Sequence, residues 1–425
     1  MKKFLYAITI FLALSACSKK DDPEPTPEPP VTVDQRTVLV YMAGENNLGT
    51  QAYLAADYDE LLEGSYLLNS NQHLLAFIDS CGKDNTPHIV EIVDGKAKEV
   101  YRYTEEFSSA DPDKLREVMQ WAIDNYPAQD YGLVLWGHAS GWAISTDSIA
   151  KARRDNRAYG QDKGSDMTWG SEKWMNLPQM ARSLEQLPHL KFIFADCCCF
   201  QCLESAYELR KVADYLIGSP AEIPGEGAPY QKMVAKLFST SDTFYKEICD
   251  CYYDFFIDAY QSSPTYTSES WAAYLQGYSV PLSTIDLSQM DALAEATAKL
   301  MKSFIPQSPA ELNLDGLPFY FGYANNMVMY DTKSVLKTYA PASDYAKWLT
   351  AYNKAVPYQL VSQKWQTIYN VILNRFDNFP TDDDMYGCTS MLFPQASYST
   401  ATYRYNECIR QMQWYSAVDW ASYGW

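Results

Sequence analysis

Histidine is scarce in this chain, with four among 425 residues, at positions 73, 88, 138 and 189. That scarcity excludes a histidine-rich metal centre and leaves few choices for a base titrating near neutrality. Positive charge is also short: 34 Lys and Arg stand against 53 Asp and Glu, a formal net charge of −19, which excludes nucleic acid as a partner. An acidic body suits cationic substrates, although most surface carboxylates simply keep a protein solvated. Long apolar runs are missing beyond Phe4–Ala16, and no internal repeat is evident, so neither a many-spanning membrane protein nor a solenoid is indicated. What is present is a globular balance, 47% hydrophobic and 20% charged, over a length that permits one large α/β unit with elaborations or two domains.

The Phe4–Ala16 run comes after Lys2 and Lys3 and is too short to cross a bilayer comfortably, as in an export signal. It ends Leu14-Ser15-Ala16-Cys17, which resembles a bacterial lipoprotein processing box in which Cys17 becomes the acylated first residue. Ser18-Lys19-Lys20-Asp21-Asp22 looks like the acidic export tag of surface lipoproteins of Bacteroidetes. The expectation is an exported protein, held by lipid on Cys17 to the outer membrane or cell surface of a Gram-negative bacterium. Asp21–Pro30 reads DDPEPTPEPP, a solvated polyproline-II tether. The expected organisation is a signal over 1–17, a tether over 18–35, a core over 36–262 and an extension packed on it over 263–425.

Export usually brings disulfides, yet the ten cysteines are not spread as a scaffold: four fall within 197–202. With Cys17 set aside the set is odd, so at least one thiol stays free, and the pairing of the others is unreadable. A metal site through Cys199-x-x-Cys202 lacks a second pair at zinc-finger spacing, so no metal site is assigned.

Along the mature chain strand and helix signals alternate. Thr37–Met42 reads as a strand leading into a helix from about Leu48 to Leu62, and His73–Asp79 as the next strand. Two short strands flank Asp94-Gly95, a hairpin turn expected at a sheet edge. Asp111 and Pro112 cap a helix reaching Asn125, and Tyr131–Trp136 is a buried strand. A polar segment and a helix over Leu177–Leu187 lead to the strand Lys191–Ala195, then a helix starting near Phe200, a strand at 215–219 and helices over 230–262. Beyond Ser262, Val280–Ile285 and Gly387–Phe393 read as strands and Leu287–Phe304 as a helix.

The chemistry lies at the exits of two of these strands. Tyr131–Trp136 runs into Gly137-His138-Ala139-Ser140-Gly141, and Lys191–Ala195 into Asp196-Cys197-Cys198-Cys199. Ligands of open parallel α/β sheets collect outside the carboxyl ends of strands. If the two strands are neighbours, a histidine and a cysteine meet over one crevice. An imidazole beside a thiol can take its proton and later protonate a leaving amine, while backbone N–H groups steady the oxyanion, Ala139 and Cys198 being the candidate donors. A helix starting near Phe200 would set its positive end beside the thiol. Singly, such a His is often structural and such a Cys a small buried hydrophobe.

The order of motifs resembles the clostripain family from about Thr37 through Tyr230. Val38-Leu-Val-Tyr-Met-Ala-Gly-Glu-Asn-Asn-Leu48 looks like its opening strand and turn, and Trp136-Gly-His-Ala-Ser-Gly-Trp142 like its histidine block. Asp196, Cys197, Cys198 and Glu204 fit the register of its nucleophile block, which names Cys198. Ala213–Ser219 and Pro224-Gly-Glu-Gly227 through Tyr230 match the family's block after the catalytic helix. The resemblance implies a caspase-like α/β fold, a three-layer sandwich with a mostly parallel central sheet and a C-terminal elaboration. It also implies peptide or protein substrates cleaved after Arg or Lys through a His138/Cys198 dyad, with Asp196, and Glu226 or Glu222, as the acidic groups of the primary pocket. The residue after the histidine, commonly Gly in the family, is Ala139 here, which keeps its N–H and adds a methyl.

Lys151, Arg153 and Arg154, with Arg157, form a basic island between the two blocks, in the interval where family members can be cut into two associated chains. No cofactor is required by this chemistry. Calcium stimulates some relatives, and no EF-hand spacing of acids is present, so calcium here rests on analogy. The alternative is a catalytically silent surface lipoprotein of the same fold that binds protein or glycan.

Overall fold

The first strand, β1 (Asp34–Gly44), is buried along almost all its length, and its side chains divide by parity. Leu39, Tyr41 and Ala43 enter one apolar core, and Val38, Val40 and Met42 enter the other. Successive residues of a strand face opposite ways, so a strand apolar at every position must be covered on both faces. The helices Pro112–Asn125, Leu177–Leu184 and Met290–Met301 pack on the first face. The second face carries the helices Tyr230–Leu237 and Phe244–Ser262. This is a three-layer sandwich.

The computed structural model describes residues 33–82, 85–143, 159–164, 167, 172–262, 277–305, 312–323, 326–369, 374–376, 379, 385–399 and 404–425, with Asp34–Trp425 as one compact unit. Cys17, residues 18–32 of the tether and the basic island Lys151, Arg153, Arg154 and Arg157 lie outside the described residues, while Asp34 and Gln35, read as the end of the tether, open β1.

After β1 come β2 (Gln72–Ser80), β3 (His88–Val93), β4 (Lys96–Arg102), β5 (Ala128–Trp136), β6 (Tyr159–Asp162), β7 (Lys173–Met175), β8 (Leu190–Asp196) and β9 (Ala213–Gly218). The C-terminal part adds β10 (Leu282–Asp286), β11 (Phe319–Tyr323), β12 (Asn326–Asp331), β13 (Tyr358–Leu360), β14 (Gln366–Tyr369), β15 (Asn374–Phe376) and β16 (Ser390–Met391). The main sheet runs β13-β10-β9-β8-β5-β1-β2-β3-β4. Its centre, β9-β8-β5-β1-β2, is parallel, and both flanks are antiparallel. The expected β3–β4 hairpin turns at Asp94 and Gly95, both at positive φ, and β4 forms the edge with Lys96, Lys98, Glu99 and Arg102 largely exposed, charges that discourage further pairing. Asp111 caps the helix Pro112–Asn125 as read from the sequence, its side chain accepting from the Asp113 N–H at 2.9 Å.

Three local expectations need correcting. The helix read over Leu48–Leu62 is two pieces, α1 (Asn47–Thr50) and α2 (Tyr53–Gly64), broken at Ala52 with φ 67°. The turn before α1 is fixed from outside: the Asn46 amide donates to the carbonyls of Ala43 and Gln161, each at 2.8 Å, while its oxygen accepts from the Leu48 N–H. The helix read from Phe200 begins at Leu203 and has seven residues. The N–H groups of Cys199 and Gln201 donate instead to the carbonyls of Ala221 and Ser219, which delays the helix and moves its end away from Cys198. The strand read over Gly387–Phe393 is reduced to β16, because the Leu392 N–H goes to Glu204 Oε1 at 2.7 Å rather than to a sheet neighbour.

The C-terminal part also builds a second sheet, β15-β14-β11-β12-β16. Isolated bridges Cys202↔Ser390 and Glu222↔Gln366 join it to the loops that leave β8 and β9.

Candidate active site

β5 and β8 are parallel neighbours in the sheet, and their last residues, Trp136 and Asp196, are paired across it. His138 and Cys198 are therefore each the second residue beyond a matched pair of strand ends. Both line one cavity of about 720 Å³ at the carboxyl end of the sheet. The loops that carry them touch, because Gly141, at φ +58°, has no room for a side chain: a Cβ there would lie 2.4 Å from the Cys199 carbonyl oxygen.

Three consecutive cysteines leave β8, and only the middle one faces the cavity. Cys197 and Cys199 are fully buried, and burial pushes both thiols well above the ordinary range, with the neighbouring Cys198 adding to the shift. Such thiols stay protonated and are inert as nucleophiles. Cys199 takes φ 56°, and that left-handed step turns the chain so that Cys198 alone projects. The Cys198 sulfur lies 3.4 Å from the Ile223 N–H, which points at it. The nine described cysteines are all free thiols.

His138 Nε2 lies 2.8 Å from Asn47 Oδ1. An amide oxygen only accepts, so in this arrangement Nε2 carries the hydrogen and Nδ1 is the basic nitrogen. Sequence reasoning does not single out Asn47 as a site residue, although the Asn46-Asn47 turn is visible as part of the opening motif. Ala139, beside the histidine, also lines the cavity and is bridged to Tyr159, with the Gly160 N–H donating to the His138 carbonyl at 2.8 Å. The Ala139 N–H makes no hydrogen bond among the described residues.

Asp196 borders the same cavity while being almost wholly buried. Burial pushes its pKa up, and three donors act against this: Tyr230 Oη at 2.7 Å and Ala228 N–H at 3.1 Å on Oδ2, and Tyr252 Oη at 2.9 Å on Oδ1. A second carboxylate, Asp57 on α2, accepts from Trp136 Nε1 at 2.5 Å, and burial with the Asp196 charge pushes it up to about 9, so it is neutral at pH 7. Gly227, at φ +61°, leaves the space before both: a Cβ there would sit 3.0 Å from Asp196 Oδ2 and 3.1 Å from Asp57 Oδ2. Of the two other acidic candidates, Glu222 is half-buried and lines the cavity, whereas Glu226 is exposed and only its glycine neighbours 225 and 227 line it. Sequence reading missed the far wall, where Phe321, Val328, Met329, Gln366 and Tyr405 contribute from the C-terminal part.

The sequence model of the clostripain family matches residues 40–425. The chain belongs to the clostripain family. It is therefore a cysteine peptidase, and the three-layer sandwich is the caspase-like fold of that family. Among solved structures, the chain is similar to a secreted C11 cysteine protease from Bacteroides thetaiotaomicron in complex with an irreversible peptide inhibitor, with 26% identity and TM-score 0.75 over 91% of this chain and 99% of that one. An inactive zymogen C11 protease from Parabacteroides distasonis shares the fold at 24% identity and TM-score 0.69, again over 91% and 99% of the two chains. A comparison with curated proteins found no match. Among the described residues no helix is long and apolar enough to cross a membrane.

Proposed function

We propose that this peptidase cleaves peptide bonds after Arg or Lys, with Cys198 as nucleophile and His138 as base. The observation that carries the proposal is the Trp136↔Asp196 pairing, which sets the two residues at equivalent steps beyond adjacent strands. In the first step His138 Nδ1 takes the Cys198 proton, and the sulfur forms a bond to the scissile carbonyl carbon. The oxyanion is met by the Ala139 and Cys198 N–H groups. The C–N bond then breaks as the histidine returns its proton to the departing amine, leaving a thioester. Water, deprotonated by His138, attacks the thioester, and the acid and the free thiol are released.

Selection of a basic side chain is supported by Asp196, a carboxyl group that accepts from three donors at the cavity wall, with Glu222 also lining the cavity and exposed Glu226 nearby. A buried carboxylate beside an open glycine suits a guanidinium or ammonium through charge-assisted hydrogen bonds. Export with lipid on Cys17, and cleavage at Lys151, Arg153 or Arg154 by the enzyme's own specificity, complete the reading. Matched fluorogenic peptides ending in Arg, Lys, Asp or Leu test it. Hydrolysis after Arg or Lys that vanishes in Cys198→Ala is expected; hydrolysis after Leu or Asp alone, or persistence in the variant, refutes it.

A further inference from the structure

The cavity that holds His138 and Cys198 has two unlike walls. One is acidic and glycine-lined, with Asp196 and Gly227. The other is built from aromatic and aliphatic residues of distant elements: Trp174 on β7, Phe321 on β11, Val328 and Met329 on β12, and Tyr405 at the start of a short C-terminal helix. At about 720 Å³ the cavity is of the size that takes a whole small ligand, more than one side chain fills, so a peptide seated on Cys198 reaches this second wall as well.

The apolar wall is fixed to both loops that carry the reacting pair. β14 is tied to the loop after β9 by the Glu222↔Gln366 bridge, and the next residue, Ile223, points its N–H at the Cys198 sulfur at 3.4 Å. β14 in turn pairs with β11, which carries Phe321. On the other side the Tyr405 ring meets Trp142, in the histidine loop, edge to face with centroids 5.7 Å apart. The pairing of β11 with β12 shifts register on both sides of Phe321. Such irregularities bend a strand and re-aim a side chain, and they recur beside active sites. Val328, Met329 and Tyr405 are buried and backed by the core, which keeps the wall in shape, whereas Phe321 and Trp174 are half-buried and keep part of their surface open.

We propose that this wall is a second subsite, which takes one large apolar or aromatic side chain of the peptide, near the residue whose bond is cut. It rests on the reading above that the peptide is cleaved at Cys198, and not on the charge of the cleaved residue. An apolar side chain gains by leaving water for such a surface, whereas a carboxylate or amide placed there loses hydration. Joined to the basic preference proposed above, the subsite defines the substrate as an extended segment in which a basic and a large apolar residue are near neighbours.

The test is digestion of a proteome-derived peptide library by the full chain, with mass spectrometry reading both sides of each cut and Cys198→Ala as the blank. Enrichment of Leu, Met, Phe or Tyr is expected at one fixed position within about three residues of the cut, a span of about 10 Å in extended chain. Internally quenched peptides with Leu or Ser at that position should then differ at least about tenfold in kcat/KM. In Phe321→Ser and Trp174→Ser that ratio should fall by roughly threefold or more, a change that a general loss of activity or folding does not imitate. Cuts by the parent without a flanking enrichment, or a ratio unchanged in both variants, overturn the subsite. Cuts that keep the flanking apolar residue but do not follow Arg or Lys overturn the basic specificity alone, and no cuts beyond the blank overturn both.

Discussion

Asn47 Oδ1 accepts from His138 Nε2 at 2.8 Å, so the imidazole is oriented by a residue from the turn after the first strand rather than by its own loop. Asn47→Ala should lower kcat on the order of a hundredfold with little change in KM, as expected when a reacting group loses its alignment but the binding cavity stays whole. Asn47→Asp adds a negative charge beside the ring and should raise the histidine pKa, moving the acidic limb of the kcat/KM profile to higher pH. An unmoved profile and an unchanged kcat would remove Asn47 from the site.

The three adjacent cysteines should separate cleanly. Brief alkylation and then peptide mapping is expected to label Cys198 and to spare Cys197 and Cys199, which are buried with raised pKa values. Cys197→Ala is expected to retain activity and Cys198→Ala to abolish it.

Burial pushes the Asp196 pKa up, Tyr230 and Tyr252 work against that push, and Tyr252→Phe removes one of its three donors. The Asp196 pKa should rise further, and kcat/KM for Arg peptides should fall more at about pH 5 than at about pH 8. An equal loss at both values would mean that the tyrosine acts through packing alone.

Gly227 stands at φ +61° facing Asp196 and Asp57. Gly227→Ala should cost about 1–2 kcal/mol of stability from the left-handed backbone alone, read from urea unfolding, and should depress turnover of Arg peptides by filling the space before the carboxylate.

Glu204 is fully buried, and burial pushes it up to about 8 while the Leu392 N–H pulls the other way. An unfolded glutamate titrates near ~4.3, so the folded state holds the proton more tightly, and its contribution is complete below that pH and is lost as pH rises through about 8. Glu204→Gln keeps an acceptor for Leu392 without the charge, and its melting temperature should fall less than that of the parent between about pH 6 and pH 9.

Much of the fold was legible because local chemistry writes it. Doubly apolar β1, the Asp111-Pro112 cap and the Asp94-Gly95 hairpin depend on residues near one another in sequence, and all appear where expected. The failures share one cause, which is long-range demand on backbone groups. Cys199 and Gln201 spend their N–H groups on Ala221 and Ser219 and so cannot start a helix, and Leu392 donates to Glu204 rather than to a strand.

For the site, the chain order of residues was enough to put a histidine and a cysteine at two strand exits. Strand adjacency then depended on the sheet order, with β5 between β1 and β8, and no local spacing encodes that order. Which of three cysteines faces the cavity turned on the positive φ at Cys199 and the burial of its neighbours. Asn47 and the C-terminal wall come from segments far apart in sequence. Sequence alone determined the elements and the reacting types, because propensity, capping and polarity are local; tertiary structure decided which side chains meet, because that depends on how strands are ordered and how buried polar groups find partners.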